Sequence, residues 1–173
     1  MIKRRAVLAG CGAAVITAPA SAHTPYSQWV VYRRKHLLVG AHRGDAETYE
    51  LAKRVVAALD AELPSAKARV ARGPRPERIA SLIGTGQLFL TVLSMSEAVS
   101  MAGAEGVFEG FSPTPVNALV DLGGGYHLFA APEFPPEHAH LVTEALHAAA
   151  LGAFPKTKSL TLHAGALDYW AQR

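Results

Sequence analysis

An α/β fold, a three-layer sandwich around a mostly parallel sheet, is predicted by three strand-then-helix units that follow one another directly along the chain. The first is Leu37-Leu38-Val39, a buried-type strand, then Gly40, which lets the chain turn, then a helix capped by Asp45. The second pairs the alternating stretch Ala66 to Ala71 with a helix opened by Pro76 at its first position. The third joins Leu88 to Leu93, the most strand-like run in the chain, to a helix that begins at Ser94-Met95-Ser96-Glu97.

Each element has its own local signal. In the first helix Tyr49, Ala52, Val55, Val56 and Leu59 recur every three to four residues, and Leu63-Pro64 ends it. Arg72-Gly73-Pro74-Arg75-Pro76 is a turn, and the helix after it carries Ile79, Leu82 and Ile83 on one side before breaking at Gly84-Thr85-Gly86. Either Ser94 or Ser96 can cap the third helix. Gly103 to Pro115 is then a loop region whose Phe108 and Phe111 are expected to tuck beneath it. Val116 to Leu122 and Tyr126 to Ala131 read as two more strands around Gly123-Gly124-Gly125, where Asp121 suits a turn residue. A helix from Glu137 to Leu151 is expected to bury Leu141, Val142, Ala145, Leu146 and Ala149 and to stop at Gly152. The tail from Leu160 ends in a short helix around Leu167 to Trp170.

The first 22 residues carry the pattern of an export signal. Lys3, Arg4 and Arg5 make a basic start, Ala6 to Ala18 is mildly apolar, and Ala20-Ser21-Ala22 is a small-x-small cleavage pattern. Arg4-Arg5 before Ala6-Val7-Leu8 resembles a twin-arginine signal, so a cut after Ala22 and a periplasmic destination are expected. The lipobox-like Leu8-Ala9-Gly10-Cys11 leaves only five residues after Arg5, too few for an apolar segment. The glycine-broken run also falls short of the ~20 apolar residues of a spanning helix, so no integral membrane protein is expected.

Cleavage would change the electrostatics. The whole chain has 17 Lys+Arg against 14 Asp+Glu, and the signal takes three basic residues and no acidic one. A mature chain of residues 23–173 would balance at 14 against 14, which gives no basis for nucleic-acid binding. Cys11, the one cysteine, would leave with the signal, so a mature chain could form no disulfide and do no thiol chemistry. Residues 23–173 have the length of a single domain held by its core. Between His23 and Lys35, the run Trp29 to Tyr32 reads as an edge strand or a short helical turn, and Arg33-Arg34-Lys35 as a solvated run.

Eight histidines invite a metal reading that their spacing does not support. His138 and His140 stand two apart at the start of a helix, about 200° around its axis, and make a poor chelating pair. His23 as a new amino terminus would need a second imidazole to hold copper, and none can be placed. There is no Gly-x-Ser-x-Gly elbow, no His-Glu zinc-protease pattern and no phosphate loop. The expectation is a protein without metal or cofactor that is not an enzyme.

Three segments resemble the TAXI group of solute receptors that serve TRAP transporters: Leu38 to Leu51 with Gly40 and Thr48-Tyr49, Ile79 to Ser94, and Leu162 to Trp170 (LHAGALDYW). The resemblance implies a lobe of a periplasmic binding protein, a TRAP permease as partner, and Thr48 and Tyr49 among the ligand contacts. Receptors of this type close two lobes on a small acid, with the second lobe inserted before the late helix. Here only Ala130 to Pro136 occupies that place, so the chain reads as a single lobe. The glycine-rich first loop of the family is also replaced, by Ala41-His42-Arg43-Gly44-Asp45-Ala46-Glu47.

If the strands end near Ala41, Ala71 and Leu93, the loops after them bring Arg43, Arg72, Arg75, Ser94 and Ser96 to one sheet edge. That is where open α/β sheets bind ligands, and helix N-termini with arginines favour an anion. The expected site is Arg43, Thr48, Tyr49, Arg72, Arg75, Ser94 and Ser96, and the expected ligand a small organic anion. The other reading is an accessory role, in which the same face contacts another exported protein. A lone lobe leaves the face open unless a partner or a second copy in a homodimer covers it.

Overall fold

A computed structural model describes residues 34–173. The readings made on residues 1–33, namely the export signal and its cut, Cys11, His23 and Trp29 to Tyr32, lie outside the described residues. Arg34 and Lys35 are exposed ahead of the first strand.

Five strands, β1 (Leu38–His42), β2 (Arg69–Gly73), β3 (Leu90–Ser94), β4 (Asn117–Gly123) and β5 (Tyr126–Ala130), form one sheet in the order β2-β1-β3-β5-β4. β1 is parallel to both β2 and β3, while β5 runs antiparallel to β3 and β4. Four strands thus share one direction, and the fold is α/β with a mixed, mostly parallel sheet. The helices are α1 (Ala46–Glu62), α2 (Pro76–Gly84), α3 (Met95–Gly103), α4 (Pro136–Ala148) and α5 (Ala164–Ala171).

Strand alternation divides the interior into two cores. Val39, Ala41, Leu90, Val92, Leu128 and Ala130 face one layer, where Leu51, Val55 and Leu59 of α1, Val142 and Leu146 of α4 and Ala166 of α5 pack on them. Leu93, Ala118 and Phe129 face the other, against Ile79 and Ile83 of α2, Ala98 and Met101 of α3, and Phe108. Successive side chains leave a strand on opposite faces, so one short apolar run serves both cores. The sandwich therefore has three layers.

The local signals hold with a few shifts. Asp45 caps α1 by accepting from Glu47 N at 2.9 Å, and Pro76 opens α2. Ser94, not Ser96, caps α3 in a capping box with Glu97. Gly40 does not turn the chain: it lies inside β1, where a Cβ would come 2.5 Å from Leu88 Cδ2 and 3.0 Å from Thr91 Oγ1. Close approach to the next strand is what its missing side chain permits. Phe108 is buried as expected, but Phe111 is 47% exposed because Gly110, at φ 85, carries it away from the core. α4 ends at Ala148, short of Gly152, with Ala150 in the left-handed region, and Leu141 stands on its exposed side. Gly152 instead packs against Val120. Between Ala130 and Pro136 the chain passes from β5 to α4 with no room for an inserted lobe.

Candidate functional site

Parallel pairing fixes which loops meet. Because β2, β1 and β3 are neighbours pointing the same way, the segments after His42, Gly73 and Ser94 share one edge, and the antiparallel β5 starts there at Tyr126, opposite Ser94. Arg43 N donates to Gly73 O at 3.1 Å, and a Cβ on Gly44 would lie 3.8 Å from Pro76 Cδ. The first two loops are in contact.

Two sets of groups line this edge. On the β2 side, Arg43 and Arg75 are exposed, and among the described residues neither forms an ion pair with Asp45, Glu47 or Glu77. Arg72 belongs to β2 itself, since that strand runs two residues beyond Ala71, and its guanidinium lies 4.1 Å from the Tyr49 ring centroid. Lys53 approaches the same ring at 5.0 Å. Tyr49 thus holds cations on its face.

Toward β3 the edge turns acidic. His42, 1% exposed at the end of β1, brings Nε2 to 3.1 Å from Glu97 Oε1, an ion-pair distance, although neither ring nitrogen has a partner in hydrogen-bond geometry. Glu97 Oε2 accepts from Ser94 Oγ at 3.1 Å, and Ser94 Oγ lies 3.1 Å from Ser96 Oγ. Burial alone would raise the Glu97 pKa, but His42 and the Ser94 hydrogen bonds outweigh it and hold the carboxyl below its ordinary value. Tyr126 Oη donates to Asp45 Oδ2 at 2.7 Å, and that contact, with burial adding to it, pushes the phenol up to about 12.

The expected residues are therefore not equivalent. Arg43, Arg72 and Arg75 share the β2–β1 side of the edge. Ser94 is engaged as a cap, and Ser96 is exposed beside it. Thr48 is fully buried, its hydroxyl donating to Asp45 O at 2.9 Å and His42 O at 3.3 Å, so it braces the loop and has no surface for a ligand. The N-termini of α1 and α3 are occupied by Asp45 and by the Ser94–Glu97 box, which removes part of the anion attraction expected of free helix ends.

Sequence reasoning missed His42, Glu97 and Tyr126. The Ser94-x-x-Glu97 spacing signals the acid. No local pattern brings His42 beside it or Tyr126 to Asp45, 81 residues away. Among the described residues no three His, Cys, Asp or Glu side chains gather to hold a metal ion, and no helix is long and apolar enough to cross a membrane. No protein-family model matches the chain, and no curated protein matches it.

Proposed function

We propose that the chain is an exported, single-lobe relative of solute-binding receptors that binds a small organic anion, a carboxylate, on the β2–β1 side of its sheet edge. The observation that supports this reading is that Arg43, Arg72 and Arg75 stand at or just after the ends of two adjacent parallel strands, and none has an acidic partner among the described residues. Two-point hydrogen bonding from arginine suits a carboxylate, and Tyr49 already steadies one guanidinium. Asp45, Glu97 and the buried His42 bound the site on its other side and limit it to ligands whose charge stays near β2. The role is binding, with a TRAP permease or another exported protein as the partner that completes the face.

Calorimetric titration of the purified protein with dicarboxylates and amino acids tests the reading. An open face is expected to bind in the millimolar range, about −4 kcal/mol, and Arg43→Ala with Arg75→Ala to weaken that binding about tenfold or more while leaving the melting temperature unchanged. Unchanged affinity in the double variant overturns the site. Sub-micromolar affinity in a monomer overturns the single-lobe reading. The start of the mature chain is checked by the intact mass of the periplasmic protein, expected to begin at His23; a lipid-modified Cys11 as the first residue would contradict that start.

A further inference from the structure

The order β2-β1-β3-β5-β4 leaves β2 at one end of the sheet, with a neighbour on one side only. Each residue of a strand turns its N–H and C=O toward the same side, and successive residues alternate sides. Arg69 N donates to Leu37 O at 2.9 Å, and Gly73 O accepts from Arg43 N at 3.1 Å, so Arg69, Ala71 and Gly73 face β1 along an unbroken register. Val70 and Arg72 therefore present their N–H and C=O groups outward. Among the described residues no strand or isolated bridge meets them. Val70 is half-buried and Arg72 is exposed. The open stretch has defined ends: the Arg69 guanidinium donates to Ala68 O on one side, and Pro74 on the other has no N–H.

An unpaired edge can take an extended chain as one more strand, and the charges around it decide which chain. From Lys67 to Arg78 the basic residues are Lys67, Arg69, Arg72, Arg75 and Arg78, and the one acidic residue is Glu77. Asp60 lies 3.3 Å from Arg69, but Arg72, Arg75 and Arg78 have no ion pair among the described residues. Tyr49 holds the Arg72 guanidinium beside the edge at 4.1 Å from its ring centroid. A second copy pairing through β2 would set arginines against arginines, and like charges directly opposite destabilise a sheet. Acidic side chains meet the opposite condition. We propose that the outer edge of β2 takes up an extended, acidic peptide segment of another protein as an added strand beside Val70 and Arg72. Main-chain bonds to those two residues supply the register, and the arginines select the charge. The small-anion reading is not needed for this, because the groups that recognise the peptide backbone are themselves backbone.

The probe is an acetylated peptide of about five residues alternating glutamate and valine, a length that spans the open stretch, followed by amide chemical shifts and hydrogen exchange of the purified protein. Saturable shifts at Val70 and Arg72, with slowed exchange of both amides, are expected below about 10 mM peptide. A lysine–valine counterpart should not bind. N-methylation of every peptide amide should weaken binding about tenfold or more, the scale of two lost backbone hydrogen bonds. Val70→Pro removes one outward donor from an edge strand, where proline is tolerated, and should also weaken the peptide. If its melting curve shows that this variant is unfolded, the methylated peptide decides alone. Dicarboxylates should leave the exchange of the Val70 and Arg72 amides unchanged, so a failed anion site and a failed strand edge give different results. Equal binding of the methylated or the lysine peptide, no saturation by about 10 mM, or full affinity in a folded Val70→Pro overturns the proposal. So does protection of the two amides before peptide is added, which would mean that the chain's own residues or a second copy already cover the edge.

Discussion

His163 shows how much one side chain can be asked to do. It is buried, and its Nδ1 accepts from Gly165 N at 3.3 Å to cap α5. A proton on Nδ1 would remove that acceptor. Burial holds the ring below its ordinary value of 6.5, with a hydrogen bond to the Phe134 backbone working the other way. The unfolded chain therefore takes up its proton first as the pH falls. Stability is expected to be complete above pH 6.5 and to drop as the pH descends toward the lower native value. Denaturant unfolding at a series of pH values measures this, and His163→Asn, which keeps a side-chain acceptor at the cap, should remove that part of the slope.

Among the elements, α3 depends most on a single local device. It has nine residues, short for an isolated helix, and the Ser94–Glu97 box satisfies backbone groups at its start. Ser94→Ala is expected to cost about 1 kcal/mol, read as a lowered melting temperature. Glu97 adds an acid dependence of its own. Its native pKa lies below 4.5, so its contribution is present above that value and is lost as the pH falls through the native one. Glu97→Gln should flatten this low-pH limb and leave the His163 limb in place, because the two groups belong to different elements and cap different helices.

On the scale of the whole molecule, the two cores are joined through the strands they share. Phe129 is fully buried and faces the α2–α3 core, while its neighbours Leu128 and Ala130 face the other. Phe129→Ala should therefore cost about 3–5 kcal/mol, and as one cooperative transition at lower denaturant. Separate unfolding of the two layers, seen as two transitions in the variant, would contradict this coupling. A lobe built this way needs no second lobe to close its core. A single lobe leaves that sheet edge uncovered, so the proposed anion site is open.

The fold was legible in the sequence because strand and helix signals are local. Pro76 at a helix start, Asp45 as a cap and the strand-like run Leu88 to Leu93 act within a few residues, and each appears in the structure, the run as Leu90–Ser94. That the loops after β1 and β2 share one edge followed from the order of the units, since neighbouring parallel strands place their following loops side by side. What the local pattern could not contain was long-range contact. Gly40 reads as a turn until Leu88 and Thr91 are packed on it, and Thr48 reads as a ligand contact until its hydroxyl is found beneath the loop. His42 beside Glu97, Tyr126 on Asp45 and the His140–Asp168 pair join residues 55, 81 and 28 positions apart. Only the tertiary structure decides such pairs, because a side chain's partners are set by which elements pack together, and its own neighbours in the chain carry no record of them.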